Sequence, residues 1–194
     1  MKDPLAMETF GHVRMVIGFI LSLSLAHLLK GSAKFIQHPN RDKPYWIHLS
    51  WVAYIFIMLV HFWWWEMPLH NLHRWTFPEY LFVVIFITTF FLLCALLYPD
   101  DIKDYTGYQD YFFSRRKWFF GVLAFLFLAD VVDTLIKGEV YYKHFGWEYP
   151  VRNITHILLC LLAIRINNRA FHGALVVLFF IYELSYVLRL YLAA

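Results

Sequence analysis

FPEYLFVVIFITTFFLLCALLY, residues 77–98, decides the fold class of this chain, because from residue 80 onward it contains no charged side chain. An uncharged apolar run of this length can cross the hydrocarbon core of a bilayer as one α-helix, which takes roughly 20 residues. The run is also too long for a β-strand. We therefore predict a transmembrane helix over residues 77–98.

Five further apolar runs accompany it and end near proline, glycine or charged residues. They cover residues 12–30, 45–65, 112–137, 150–166 and 170–193. A lone apolar run must satisfy its own backbone in lipid, which favours helices. We therefore expect residues 1–194 to form a single all-α integral membrane bundle of about six transmembrane helices. The fifth run has the shortest apolar centre, because Arg152, Asn153, His156 and Arg165 interrupt it.

The composition agrees with a membrane protein. Hydrophobic residues make up 61% of the chain and charged residues 16%, with a mean hydropathy of +0.53, whereas soluble domains average roughly half apolar and a quarter charged. The net charge of +3 is spread over several short loops, so the bilayer is the expected partner and nucleic acid is not. Cys94 and Cys160 lie inside apolar runs without metal-binding spacing, which is typical of packing residues.

The distribution of Lys and Arg predicts the orientation. Ten of the 17 lie on the side that carries the loops after the first, third and fifth helices. Loops rich in Lys and Arg usually face the cytoplasm. We therefore predict a plasma (inner) membrane protein with both termini outside the cytoplasm.

Ionisable residues inside the predicted spans indicate a functional site, because each is costly in lipid unless it is paired or hydrated. Alternating helices bring most of them towards one membrane face, the predicted outer face. Glu183 is the deepest acid, and Asp130 and Asp133 share one side of the fourth helix. We predict a polar cavity near the outer leaflet. Its predicted ligand or ion pathway comprises Arg14, His61, Asp130, Asp133, Arg152, His156, Glu183 and Arg189.

This pattern favours a small channel, a transporter or a ligand- or pH-sensing membrane protein over an enzyme. Its cargo or ligand would be a proton, a cation or a small polar molecule, with Glu183 and Asp130 as the protonatable groups and His61 and His156 at the entrance. The alternative is a set of structural pairs. In that case Asp133 pairs with Lys137 four residues later, and a cation from a neighbouring helix neutralises Glu183.

The histidines support a second hypothesis, a b-type cytochrome or a quinone-binding redox subunit. The alternative haem ligands are His12 and His27 on the first helix and His48 and His61 on the second. Helical phase argues against two haems at one interface. At about 100° per residue, His12 and His27 on the first helix point about 60° apart, whereas His48 and His61 on the second point about 140° apart. No cofactor is predicted outright, and haem b is the alternative. The candidates for a metal site are His12, His61, His70 and His73, of which only the last two are close in sequence.

A third hypothesis is a non-catalytic assembly subunit. Gly18, Ser22 and Ala26 form a stripe of small residues on the first helix, where a second copy of the chain could approach closely to form a homo-oligomer. Motifs such as GxSxG, the P-loop and GxGxxG do not occur, so hydrolases and nucleotide-binding enzymes are not expected.

Overall fold

A computed structural model describes residues 4–38, 43–72 and 74–192. Within these ranges the chain is helical and contains no strand, so the predicted all-α class is confirmed. The α-helices are α1 (Pro4–Gln37), α2 (Trp46–Trp65), α3 (Phe77–Leu97), α4 (Tyr108–Ile136), α5 (Glu139–His144), α6 (Glu148–Arg165) and α7 (Arg169–Leu192), and a short 3-10 helix, Met67–Asn71, follows α2.

The six predicted spans correspond to α1, α2, α3, α4, α6 and α7. The largest difference is at α1, which continues beyond the predicted end at residue 30 to Gln37. Around Gly31, Ser32 donates a hydrogen bond to the Leu28 carbonyl at 2.9 Å, and the absence of a Cβ at Gly31 lets the Tyr98 ring pack directly on the helix backbone. The short helix α5 was not predicted.

Among the described residues, five helical segments are long and apolar enough to cross a membrane: Met7–Gln37, Trp46–Asn71, Phe77–Leu97, Tyr108–Ile136 and Arg169–Leu192. Helix α6 is not among them, because Glu148, Arg152 and Arg165 interrupt its apolar sequence. It lies antiparallel to α4, since Tyr149 near its start reaches Thr134 and His156 further along contacts Phe127. The chain is thus an all-α membrane bundle in which α6, the most polar of the long helices, packs against α4.

Successive long helices alternate in direction, so the start of α1 lies at the same face as the ends of α2, α4 and α7. Contacts at this face include Lys137 with the Trp65 carbonyl and Arg189 with Glu148. We call it the terminal face, and the adjoining half of the bundle the terminal half. At the opposite face the start of α2 meets the end of α3, where His48 packs against Tyr98.

Buried aromatic rings fill the centre of the bundle. The Trp51 ring lies 5.3–5.4 Å, centroid to centroid, from the rings of Tyr54, Phe119, Phe120 and Phe179. All five side chains are almost completely buried. Closely packed rings of this kind leave little free volume, so the middle of the bundle is a solid layer beneath the polar residues of the terminal half.

Candidate functional site

Glu183, the deepest predicted acid, is only 1% exposed and is held by two partners. Its Oε2 accepts a hydrogen bond from Arg152 Nη2 at 3.0 Å, and its Oε1 lies 2.9 Å from His61 Nδ1. Arg152 Nη1 also lies 3.8 Å from Asp130 Oδ2. Helices α2, α4, α6 and α7 each contribute one residue to this group, which we call the arginine cluster: His61, Asp130, Arg152 and Glu183.

Arg152 is positioned by aromatic rings as well as by carboxylates. Its guanidinium carbon lies 4.5 Å from the centroid of the Tyr186 ring and 5.9 Å from that of Phe127. Ring faces attract a cation electrostatically, and the attraction is strongest where water is excluded. The side chain of Arg152 is 5% exposed, so rings and carboxylates together replace its hydration shell. Arg152 of α6 is thus the cation from a neighbouring helix that the structural alternative placed beside Glu183.

Asp130 is satisfied by α6. Its Oδ2 accepts a hydrogen bond from the Tyr149 hydroxyl at 2.8 Å and a longer one from Asn153 Nδ2 at 3.3 Å. Sequence reasoning missed both partners. The signal was present, because Tyr149, Arg152, Asn153 and His156 recur at three- and four-residue spacing and so form one polar stripe on a helix.

A small cavity adjoins the arginine cluster. Its volume is about 30 Å³, enough for about two water molecules. Three of its lining residues are polar, namely His61, Asp130 and Arg152; the others are apolar and include Met58, Phe62 and Phe127. The described cavity is much smaller than a site for an organic ligand, which typically measures about 300–1,000 Å³.

His61 connects the buried cluster to the surface. Its Nε2 lies 3.1 Å from the Tyr191 hydroxyl, while its Nδ1 faces Glu183. Tyr191 lies near the end of α7 and is 36% exposed. Because a carboxylate can only accept, Nδ1 must donate to Glu183, and a neutral imidazole then presents Nε2 as the acceptor for the Tyr191 hydroxyl. The position open to an incoming proton therefore points towards the surface.

A second buried group lies beside the first. Lys137 Nζ lies 2.5 Å from Asp133 Oδ2 and 3.0 Å from Glu66 Oε1, and it donates to the Trp65 carbonyl at 2.8 Å. We call Glu66, Asp133 and Lys137 the lysine cluster. The pairing of Asp133 with Lys137 was one of the sequence-based alternatives, whereas the contribution of Glu66 was missed because it comes from another helix.

The other predicted pathway residues lie outside the two clusters. His156 Nδ1 lies 2.7 Å from the Arg152 carbonyl oxygen, and its ring packs between Phe127 and Phe179 rather than at an entrance. Arg189 forms a partly exposed pair with Glu148 at 2.6 and 2.8 Å. Arg14 is exposed on α1 and lines a narrow crevice next to Glu66.

The four alternative haem ligands lie in different surroundings. His12 is exposed, whereas His61 is engaged with Glu183. His48 Nε2 lies 2.6 Å from the Leu97 carbonyl oxygen, and the His27 ring lies 6.3 Å from Phe91. A haem ligated by His12 and His61 would require His61 to leave the carboxylate.

The metal-site candidates are also dispersed. His70 Nδ1 lies 2.6 Å from the Met67 carbonyl oxygen, and His73 lies outside the described residues. Within residues 4–38, 43–72 and 74–192, no three His, Cys, Asp or Glu side chains are grouped so that they could hold a metal ion.

The small-residue stripe on α1 is partly covered by the chain itself. A Cβ placed on Gly18 would lie 3.6 Å from the Trp63 ring. Ser22 and Ala26 are exposed, and Ser22 donates a hydrogen bond to the Gly18 carbonyl at 2.7 Å. Association of two copies through this stripe stays a prediction.

Comparison with family models, with curated proteins and with solved structures gives no match for this chain. The functional assignment therefore depends on the chemistry of the two clusters.

Proposed function

We propose that this chain is a pH-sensing membrane protein that takes up a proton from the aqueous phase at the terminal face through His61. The observation that carries the proposal is the position of the His61 imidazole between the Tyr191 hydroxyl, which reaches the surface, and the buried Glu183 carboxylate. Histidine is a common proton-accepting side chain in proteins that respond to pH.

Protonation of His61 would change the whole arginine cluster. Neutral His61 accepts from Tyr191 through Nε2, but the imidazolium donates through the same atom, so this hydrogen bond must reverse. The new positive charge would also compete with Arg152 for Glu183. Because Asp130 is the other acidic neighbour of Arg152, the guanidinium could shift towards it. The Arg152–Glu183 pair, which joins α6 to α7, is thus the contact that would change when His61 takes up a proton.

The aromatic layer favours sensing over conduction. Trp51, Tyr54 and Phe179 fill the bundle directly beneath the arginine cluster, and the cavity beside the cluster holds about two waters. This arrangement supports access from the terminal face alone. It also favours a proton over a larger cation or an organic ligand.

The test compares tryptophan emission of the purified protein in nanodiscs between about pH 8 and pH 5. Trp65 is the reporter, because its ring lies 5.7 Å from that of His61. We expect a reversible change in the wild type that is lost in His61→Gln and in Trp65→Phe. The matched control is His144→Gln, which removes an exposed imidazole. A wild-type response that persists in His61→Gln would contradict the proposal.

A second measurement separates a sensor from a transporter. Vesicles that contain the protein and a trapped pH dye are exposed to a proton gradient. A sensor leaves the rate of proton entry at the level of empty vesicles. Proton entry that depends on His61 would show that the site serves transport, and the sensing proposal would then be wrong.

As part of the proposal, the terminal face lies outside the cytoplasm, which the Lys and Arg distribution supports. Both native cysteines are buried, so single introduced cysteines can be labelled selectively. We expect Glu139→Cys, at the terminal face, to react with an impermeant maleimide in intact cells, and Lys103→Cys, at the opposite face, to react only after lysis. The reverse pattern would invert the orientation.

A further inference from the structure

The lysine cluster contains more acid than its single cation can neutralise. Glu66 is 4% exposed and Asp133 is fully buried, and the side chain of Lys137 is also inaccessible. One ammonium thus faces two carboxyl groups. Two like charges that share a buried site do not both ionise unless further positive charge compensates them.

The lysine cluster also has too few hydrogen-bond donors for its buried carboxyl oxygens. An ammonium has three N–H donors; Lys137 Nζ donates to Glu66 Oε1 and to the Trp65 carbonyl and lies at ion-pair distance from Asp133 Oδ2. Glu66 Oε2 and both Asp133 oxygens are buried and accept no hydrogen bond from the described residues. Both carboxyl groups nevertheless lie against the same ammonium, with Glu66 Oε1 at 3.0 Å and Asp133 Oδ2 at 2.5 Å from Lys137 Nζ. A donor for their free oxygens therefore requires a proton on one of the two acids.

We propose that Glu66 and Asp133 share one bound proton, held against Lys137, and that the protein carries this proton at neutral pH. The proton supplies a donor to these free oxygens and leaves the lysine cluster electrically neutral. The proposal goes beyond the pH sensing assigned to His61 and does not depend on it, because none of the lysine cluster contacts involves His61.

Other charged or titratable groups surround the pair on neighbouring helices. On α4, Asp130 adds further negative charge three residues from Asp133. On α5, the Tyr141 ring lies 5.9 Å from Lys137 Nζ, and Tyr191 of α7 packs near the same region. On α1, Arg14 lines the crevice beside Glu66 and is the rival source of neutralising charge. Arg14 therefore has to be part of the test.

Infrared difference spectroscopy measures the proton directly, because a carboxylic acid and a carboxylate absorb at different C=O frequencies. We expect the wild-type protein in detergent at neutral pH to show a carboxylic-acid band that shifts in deuterated buffer. The band should disappear in the Glu66→Gln/Asp133→Asn double variant. It should remain in Glu139→Gln, which removes an exposed carboxylate, and in Arg14→Gln.

Each other outcome overturns the proposal. Absence of the acid band from the wild type would show that both groups are ionised, and this result does not require any variant to fold. An acid band that appears only in Arg14→Gln would assign neutralisation to Arg14. A band that appears only when sodium is replaced by choline would show that a metal cation, rather than a proton, occupies the pair. His61→Gln, in contrast, should leave the band unchanged, so the two proposals fail separately.

Discussion

The two halves of the bundle use buried histidine in different ways. In the terminal half, His61 lies between a carboxylate and a hydroxyl that reaches the surface. In the opposite half, His48 and His172 lie close to the carbonyl oxygens of Leu97 and Ile166, at 2.6 and 2.9 Å, where α3 and α6 end. A helix end leaves carbonyl groups without intrahelical donors. His48 and His172 therefore complete the backbone at helix ends, and His156 makes a similar contact with the Arg152 carbonyl, whereas His61 connects a buried charge to the surface.

This contrast shows that residue type and burial do not identify a functional histidine. His48 is more completely buried than His61, yet its neighbours are the rings of Tyr98 and Tyr108 and a backbone carbonyl. An ionisable partner and a route to the surface distinguish His61. The following substitutions test this difference, starting with the largest expected effect.

Arg152→Met should have the largest effect on stability. It removes the cation that faces Glu183 and Asp130 and so leaves buried negative charge uncompensated, which typically costs about 3–5 kcal/mol. Unfolding in a mild detergent against increasing SDS measures the loss. The control is Arg189→Met, which breaks a partly exposed pair with Glu148 and should cost far less, because solvent screens such a pair.

A double variant tests the physical reason. Arg152→Met combined with Glu183→Met replaces both charges by apolar side chains and should recover much of the loss, because no unpaired charge at Glu183 remains. If the double variant is less stable than Arg152→Met alone, burial of unpaired charge is not the cause.

Gly31→Ala should cause the next largest loss, in the opposite half. A Cβ at this position would lie 2.3 Å from the Tyr98 ring, and Tyr98 is buried and hydrogen-bonded to Ser32. Overpacking of this kind costs about 1–3 kcal/mol. In Gly121→Ala, by comparison, the new methyl group meets no atom within 4 Å, and the variant should gain up to about 1 kcal/mol from helix propensity. Equal stability of the two variants would contradict the close approach of Tyr98.

The sequence predicted the all-α fold, and four of the eight predicted pathway residues lie together in the structure; both outcomes have physical reasons. Long apolar runs predict helices, because in lipid the backbone N–H and C=O groups can form hydrogen bonds only with each other. Asp130, Arg152, Glu183 and His61 were found because charges inside such runs are costly. Rotation of each helix was not readable from one sequence, so Glu66 as a partner of Lys137 and Tyr191 as a partner of His61 were missed.

Rotation also explains why Arg14 and His156 were grouped with these residues. Both lie at suitable depth along their helices but point elsewhere in the bundle: Arg14 is exposed, and His156 packs among aromatic rings. Depth follows from counting residues along a helix. The direction in which a side chain points depends on how its helix packs against the other helices. Residue spacing within one helix does not reveal this packing.

His48→Phe should separate the two uses of histidine with a moderate effect. The ring contacts with Tyr98 and Tyr108 are kept, but the Leu97 carbonyl loses its partner, which costs about 1–3 kcal/mol when the group is buried. The pH response of Trp65 emission should remain as in the wild type, whereas His61→Gln abolishes it. A response lost in both variants would mean that histidines of both halves contribute to sensing.

Glu148→Gln should have the smallest effect, and only at pH values where the Glu148 carboxyl is ionised. Hydrogen bonds from Arg189 lower the pKa of the Glu148 carboxyl, so the ion pair stabilises the protein above the ordinary glutamate pKa of about 4.3 and is lost as the pH falls through the lowered folded value. The pair is partly exposed, and solvent screening keeps its contribution to stability small. Unfolding measured at neutral pH and below about pH 4 should therefore show a small difference from the wild type that shrinks in acid. The response of Trp65 to His61 should be unaffected, because the Glu148–Arg189 pair lies at the surface, outside the arginine cluster.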